Sequence, residues 1–248
     1  MTRPRPRLSQ LALWDQHVQM VLAIVREALM RLAARPVTGG EPVLNRALYE
    51  CALEANRARH DSGQPHLEPL ITWEGRNQPS PATAGASPEN KIPDFQCGYI
   101  DHLCPDPLLS ARIFVIECKR LGHPSPSGWN FNVRYVKDGV ARFVDDRWKY
   151  GKHTEAGAMV GYLDGTPVLD VLTEVNVAAA AQSVPALGMP TGPSAPLHEL
   201  VHSLVRNFPE SPFQLAHLWI ENPQPAPPTR RTAASAKKTA AKKATRRP

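Results

Sequence analysis

The sequence predicts an α/β protein in which a central mixed β-sheet is flanked by helices. Apolar residues recur every three to four positions over 8–34 and over about 42–60, which indicates two amphipathic helices. The unbroken apolar run over 113–116 is typical of a strand that is buried on both faces. Strand and helix patterns then alternate towards residue 221, as expected for layers of helices packed on a sheet.

The elements follow from local patterns and from the residues that interrupt them. Pro36 and the pair Gly39-Gly40 end the first helix, and Pro42 suits the first turn of the second. The remaining elements are predicted in this order: strands over 67–75, 91–101 and 111–119, a helix over 135–151, a strand over 156–163, a helix over 164–182, a helix within 197–208 and an edge strand over 213–221.

The domain organisation follows from shifts in composition. We predict an N-terminal basic arm and helix over 1–40, one main domain over 41–222, and a tail over 223–248 that is rich in Lys, Arg, Ala and Pro. The tail has almost no large apolar side chains, so it is expected to be disordered when free.

The positive charge of the chain is concentrated in this tail. The chain has 29 basic and 23 acidic residues, a net charge of +6, and eight of the basic residues follow Asn222. Such a tail would neutralise phosphates and release counterions, which predicts salt-sensitive binding to nucleic acid without sequence preference. A tail that only aids solubility is the alternative. The lysines proposed to contact nucleic acid are Lys237, Lys238, Lys242 and Lys243.

Several classes of protein are not indicated. The four cysteines form no CxxC pair, so we expect reduced thiols rather than a zinc site. The N-terminal residues lack the pattern of a signal peptide, and no apolar stretch is long enough to cross a membrane. No Gly-rich phosphate loop is present, so no use of ATP is expected. We therefore expect a cytoplasmic protein with no membrane partner.

The residues most informative about chemistry are Pro93-Asp94 at one predicted strand and Glu117-Cys118-Lys119 at the end of the next. Positions two apart on a strand point to the same face, so Glu117 and Lys119 are predicted to lie together, while Cys118 faces the core. Buried charges need a partner, and the carboxylates of Asp94 and Glu117 are ligands that Mg²⁺ takes. The alternative is that Asp94 caps a turn and that Glu117 and Lys119 form an exposed pair.

This arrangement resembles the PD-(D/E)XK superfamily of restriction-endonuclease-like nucleases, and the resemblance covers roughly residues 41–182. It implies a restriction-endonuclease-like core and an endonuclease that hydrolyses phosphodiester bonds, most often in DNA, with Mg²⁺ or alternatively Mn²⁺ as cofactor. It also implies a catalytic set of Asp94, Glu117 and Lys119, with Asp94 and Glu117 as metal ligands. Members often add a carboxylate from the first helix. Glu41 is the first choice here, before Glu50 and Glu54.

Further expectations come from the same resemblance. Polar residues on the helix after the motif often contact the site or the phosphate of nucleic acid, and Arg142, Arg147, Tyr150 and Lys152 are the candidates for that role. The segment 139–162 is similar to restriction-like proteins of bacterial defence clusters, which implies a defence or DNA-processing system. The tail resembles those of bacterial nucleoid proteins, which implies association with the nucleoid. A homodimer or a partner subunit that supplies recognition is left open. The alternative function is that of a catalytically inactive nucleic-acid-binding protein with the same fold.

Three histidines invite a different interpretation. His198 and His202 are four apart on the predicted helix, and His217 follows, but no third ligand has a fixed spacing, so we favour core or surface histidines over a metal site. Contact of His202 and Arg206 with phosphate is a second alternative.

Overall fold

Two long helices precede the sheet and pack against each other. In the computed structural model, which describes residues 8–35, 37–68, 71–77, 90–125, 127–191, 195–208 and 211–222, helix α1 spans Leu8–Ala33 and helix α2 spans Glu41–Asp61. Pro42 lies in the first turn of α2, where its missing N–H costs no hydrogen bond. Among the described residues, no helix is both long enough and apolar enough to cross a membrane.

The described strands form one mixed sheet of six. They are β1 (Thr72–Trp73), β2 (Phe95–Ile100), β3 (Ala111–Leu121), β4 (Ala156–Leu163), β5 (Leu197–Leu204) and β6 (Phe213–Glu221), in the spatial order β1-β2-β3-β4-β6-β5. The three central strands β3, β4 and β6 run parallel, whereas β2 pairs antiparallel with β3 and β5 antiparallel with β6. The protein is therefore an α/β protein with an open mixed sheet, as the sequence predicts.

Hydrophobic residues cover both faces of this sheet. Ile116 and Cys118 of β3 belong to the cluster that includes the buried faces of α1 and α2. The neighbouring Val115 belongs to a second cluster, which is closed by α3 (Phe131–Lys137) and α4 (Val168–Ala181). Because successive side chains of a strand alternate between its faces, Glu117 and Lys119 project from the same face as Val115, the face that α3 and α4 cover.

Helix α1 is part of the main core. Trp14, Ile24 and Leu29 are almost fully buried, in the same cluster as Leu48 of α2 and Phe114 of β3. The helix over 1–40 that the composition separates from the main domain is thus packed with that domain, because its apolar stripe covers the sheet.

The C-terminal part differs from the prediction in two elements. Residues 197–208 do not form a helix, because residues 197–204 are strand β5, in which burial alternates through His198, Leu200, His202 and Leu204. The alternation is not apparent in the sequence, because two of the buried positions are histidines, which are polar residues. Strand β6 lies between β4 and β5, so it is an interior strand and β5 is the edge.

The segments on either side of β2 and β3 are also shorter than predicted. Of the strand expected over 67–75, only Thr72–Trp73 is a strand. The helix expected over 135–151 is divided into α3 and a 3₁₀ turn at Val140–Phe143. Gly139 separates them, and a Cβ at Gly139 would lie 2.4 Å from the carbonyl oxygen of Tyr135, 2.5 Å from Met159 Cε of β4 and 3.4 Å from Lys119 Cγ of β3. The close approach of the backbone at Gly139 therefore brings the 3₁₀ turn against β4 and β3.

Candidate active site

Asp94 lies opposite the Glu117 end of β3. It directly precedes β2, in which Phe95 is paired with Ile116 of β3. The amide of Cys118 donates to Asp94 Oδ2 at 2.7 Å, and Asn45 Nδ2 of α2 donates to Asp94 Oδ1 at 3.1 Å. These two hydrogen bonds fix the orientation of the carboxylate.

Lys119 connects the carboxylates that the sequence singles out. Its Nζ atom donates to Glu117 Oε1 at 2.8 Å and to Glu41 Oε1 at 2.9 Å, and it lies 3.9 Å from Asp94 Oδ2. It also donates to the carbonyl oxygen of Cys118 at 2.7 Å. Asp94, Glu117, Lys119 and Glu41 therefore converge in the structure.

Arg142 completes this group from the 3₁₀ turn. Its Nη1 atom donates to Glu117 Oε1, and its guanidinium lies 4.1 Å from the centroid of the Trp148 ring. The sequence suggested contact with nucleic acid for Arg142 but not a bond to Glu117. We call the five residues Glu41, Asp94, Glu117, Lys119 and Arg142 the carboxylate cluster.

One oxygen of the cluster has no hydrogen-bond partner. Within the described part of the chain, Glu117 Oε2 is buried and accepts no hydrogen bond, and the residue as a whole is only 1% exposed. A buried carboxylate oxygen in this state is costly unless a proton or a cation binds it. Three carboxylates face two cationic side chains, so the cluster has room for one more positive charge.

The pKa values in the cluster reflect burial. Burial, together with repulsion from Asp94, raises the pKa of Glu117 to about 7, although Lys119 and Arg142 oppose the shift. Burial also raises the pKa of Asp94, against the influence of Lys119 and of the Cys118 amide. Burial disfavours the ammonium of Lys119, but Glu117, Asp94 and Glu41 outweigh it and raise the pKa of Lys119. Lys119 is therefore a fixed positive charge, and Glu117 is the group that titrates near neutral pH.

The three glutamates of α2 are placed differently. Glu41, at the N-terminus of the helix, contacts Lys119 as described above. Glu50 pairs with Arg46 at 3.2 Å, and both side chains are exposed. Glu54 is also exposed and pairs with Arg35. The structure thus brings the first-choice glutamate to the cluster and leaves the other two at the surface.

Two of the residues expected to contact nucleic acid are not at the surface. Tyr150 is fully buried against Phe143 and Trp148, and Lys152 is only 5% exposed. The sequence shows that the segment is polar, but it does not show the turns that direct Tyr150 and Lys152 into the interior. In this structure neither side chain is available for direct contact with a nucleic acid. The tail lysines Lys237, Lys238, Lys242 and Lys243 lie outside the described residues.

The donor set of the cluster fits a hard cation such as Mg²⁺ or Mn²⁺. No group of three or more His, Cys, Asp or Glu residues suited to a metal ion was found in the part of the chain that the structure describes. Mg²⁺, however, is commonly held by one or two carboxylates, with water and substrate phosphate as its other ligands. Asp94 and Glu117 supply two such carboxylates, and Glu117 Oε2 has an unused acceptor position.

The histidines form a separate buried group. His217 accepts or donates a hydrogen bond with Tyr135 Oη at 2.7 Å and one with His202 Nδ1 at 3.3 Å, while Trp219 Nε1 donates to Tyr135 Oη at 2.9 Å. His198 bonds to Glu221 at 2.9 Å. These contacts match the core interpretation of the histidines.

Arg206 has a structural place as well. It is only 6% exposed, and its guanidinium donates to the carbonyl oxygens of Phe143, Tyr150, Gly151 and Thr154 at 2.7–3.2 Å. His202 is 2% exposed. The alternative of phosphate contact by His202 and Arg206 is therefore wrong for this structure, because both side chains are turned into the interior.

A cleft of about 620 Å³ lies beside the carboxylate cluster. Glu41, Lys119 and Arg142 form one part of its lining, and Arg120, Trp129 and Arg134 form another. Glu117 lies behind Lys119 and Arg142, which both bind it. Sequence reasoning missed both Trp129 and Arg134. Trp129 lies in the loop 123–130, which has no periodic pattern, and Arg134 lies in α3 before residue 135, where the predicted helix begins.

Asn45 was missed as well, although a signal for it exists. It lies four residues after Glu41 and is buried on α2, where it also accepts a hydrogen bond from Tyr162 Oη at 2.9 Å. A buried polar residue on the apolar side of a helix is the kind of feature that indicates a partner.

Comparison with known proteins adds no relative. No protein-family model, no curated protein and no solved structure matched this chain.

Proposed function

We propose that the protein is a metal-dependent phosphodiesterase that acts on nucleic acid, most simply an endonuclease of the PD-(D/E)XK type. The observation that carries this proposal is the convergence of Asp94, Glu117 and Lys119, together with a Glu117 oxygen that accepts no hydrogen bond from the described part of the chain. A binding protein without catalysis needs no such concentration of buried charge, which is costly to desolvate.

The order of elements supports the same proposal. Helix α2, strands β1 to β3, helix α3 and strand β4 follow one another in the order that the resemblance leads us to expect, with Asp94 directly before β2 and Glu117 on the adjacent strand β3. Glu41 of α2 supplies the further carboxylate that family members often take from the first helix of their core. The basic side chains that line the cleft suit a phosphate backbone, and DNA is the substrate that the resemblance favours.

The residues of the chain would divide the chemistry as follows. Asp94 and Glu117 would hold Mg²⁺, which when bound lowers the pKa of a coordinated water and polarises a phosphoryl oxygen. Asn45 and the Cys118 amide keep Asp94 oriented. Lys119, as a permanent cation held by Glu41, would orient the attacking water or stabilise the charge that develops on phosphorus. Arg142 would balance the charge of Glu117.

The test is a cleavage assay on the full chain. Plasmid DNA, oligodeoxynucleotides and RNA are incubated with the protein and either Mg²⁺, Mn²⁺ or EDTA. We expect metal-dependent cleavage in the wild type and a loss of about 100-fold or more in Asp94→Asn and in Glu117→Gln, as when one transition-state contact is removed. Glu50→Gln, which changes an exposed glutamate of α2 outside the carboxylate cluster, is the control and should cut at the wild-type rate.

The outcomes separate the two function classes. Binding of nucleic acid without cleavage in either metal would favour the alternative, an inactive binding protein. Cleavage that persists unchanged in Asp94→Asn and Glu117→Gln would show that the carboxylate cluster is not the catalytic centre.

A further inference from the structure

The loop between β3 and α3 holds a tryptophan at the surface. Trp129 is 56% exposed, whereas Trp14 and Trp219 are almost fully buried. The loop is hydrogen-bonded to itself: the Trp129 amide donates to Ser125 Oγ at 3.0 Å, and the Ser125 amide donates to the Trp129 carbonyl at 2.9 Å. An exposed aromatic ring held in place in this way presents a flat apolar surface at little entropic cost.

Arginines lie against the aromatic rings of this region. The guanidinium of Arg134 is 3.9 Å from the centroid of the Trp129 ring, and Asp138 fixes it with a hydrogen bond of 2.7 Å. The guanidinium of Arg120 is 4.4 Å from the centroid of the Phe131 ring. We call these four residues, Arg120, Trp129, Phe131 and Arg134, the stacking wall.

The stacking wall lines the same cleft as three members of the carboxylate cluster, Glu41, Lys119 and Arg142. Lys119 and Arg142 lie on the cluster side of it, so four basic side chains line the cleft together with the acidic Glu41 and Asp138. Planar apolar groups beside fixed cations match a ligand that has planar bases on a phosphate backbone. The ligand's bases must be accessible, because in a duplex their faces are covered by neighbouring base pairs.

We propose that the stacking wall binds an unpaired nucleotide of single-stranded nucleic acid, with a base on Trp129 and its phosphates towards Lys119 and Arg142. The substrate of the carboxylate cluster would then be a single strand or an unpaired segment rather than a continuous duplex. This step rests on the proposed function only in treating the cleft as the substrate path, since base stacking by itself requires neither metal nor cleavage. DNA and RNA offer the same stacking chemistry.

The test is a binding measurement in EDTA, in which the full chain does not cut. The probes are oligo-dT, oligo-rU and a DNA duplex of the same length. We expect Trp129→Ala to weaken binding of a single-stranded probe about 5- to 150-fold, the range found for loss of one base–aromatic stack, and to change duplex binding less than about twofold. Trp129→Phe keeps a ring and should recover most of the affinity. Val201→Ala, an exposed apolar side chain on the edge strand β5, is the control for surface truncation.

Fluorescence gives a second readout. A base stacked on Trp129 should quench the tryptophan emission of the wild type, and Trp129→Phe should bind the same probe with that quenching lost. Preference between oligo-dT and oligo-rU identifies the source of the strand.

Equal binding of the single-stranded probes by wild type and Trp129→Ala would overturn the proposal, and so would an equal loss for single strand and duplex. If Trp129 stacking is found but no cleavage occurs with Mg²⁺ or Mn²⁺, the stacking wall stands and the nuclease proposal fails. If cleavage depends on Glu117 and binding of single strands does not depend on Trp129, the nuclease proposal stands and the stacking proposal fails.

Discussion

Glu117 and His217 lie in the same row across the sheet, with only Met159 between them: Glu117 of β3 is paired with Met159 of β4, and Met159 with His217 of β6. Both side chains are buried and ionisable. Burial raises the pKa of Glu117 to about 7, and burial together with His202 lowers the pKa of His217 well below its usual value. In each case the low dielectric of the interior disfavours the charged form.

The difference lies in what surrounds the two groups. His217 is bonded to Tyr135 and His202, which are neutral partners, so it can remain uncharged. Glu117 contacts two cations, and one of its oxygens has no hydrogen-bond partner among the residues that the structure describes. A cleft lies on the far side of those cations. A buried polar group whose hydrogen bonds are satisfied by neutral neighbours stabilises a core. A buried charged group that lacks a hydrogen-bond partner and lies beside a cleft indicates instead a site that acts on a ligand.

The largest effect that would test this comparison is expected from Lys119→Ala. If Lys119 stabilises the charge that develops during hydrolysis, single-turnover cleavage should fall about 10²–10³-fold, equivalent to about 3–4 kcal/mol. Binding of nucleic acid should change little, because one point charge among many phosphate contacts contributes little affinity. Lys137→Ala, an exposed lysine in the last turn of α3, is the control. Wild-type cleavage by Lys119→Ala would mean that its charge serves only the fold.

A somewhat smaller effect is expected on stability from Glu117→Gln. The folded protein binds the proton of Glu117 more tightly than the unfolded chain does, since the pKa rises from 4.5 to about 7. This group therefore contributes stability below pH 4.5, and that contribution, about 3 kcal/mol, is lost as the pH rises to about 7. Gln cannot ionise, so the metal-free variant should be more stable than wild type at pH 8 and not at pH 4.5.

Denaturant unfolding of both proteins at pH 8 and pH 4.5 in EDTA measures this difference in the free energy of unfolding. Added Mg²⁺ should stabilise the wild type and leave Glu117→Gln unchanged, because a ligand stabilises only the state that binds it. Glu50→Gln should show no gap that depends on pH. If the wild type were more stable than Glu117→Gln at pH 8 in EDTA, the ionised Glu117 would have enough partners in the folded protein, and the prediction would be wrong.

The smallest effect is expected on the histidine side, from Tyr135→Phe. The change removes the hydroxyl between Trp219 Nε1 and His217 Nδ1 and leaves buried groups unpaired, which should cost about 1–2 kcal/mol of unfolding free energy. Because His217 stays neutral, the loss should be the same from pH 6 to pH 9, and cleavage should be retained. Tyr49→Phe, which keeps the ring contacts with Trp73 and Phe95, is the control. A loss that changes with pH would show that His217 carries charge.

The sequence by itself determined the elements that have a strong local period and the chemistry that depends on spacing along one strand. The stripe of α1, the apolar run that became β3 and the same-face pair Glu117 and Lys119 are of this kind, because side-chain direction within one element follows from its repeat. The preference for Glu41 over Glu50 and Glu54 came from the family resemblance, through its position seven residues before Leu48, and not from a local repeat.

Tertiary structure decided what depends on distant neighbours. Residues 197–204 became a strand because β6 pairs with them, with partners from Leu204 and Phe213 to Leu197 and Ile220. Their histidines concealed the alternation in the sequence. Arg142 bonds to Glu117, and Tyr150 faces the interior, because the turns after Gly139 fold the segment back over the sheet. Trp129 and Lys119 share one cleft although the loop between them has no periodic pattern. Such contacts form between side chains from separate elements, and the spacing within any single element does not encode them.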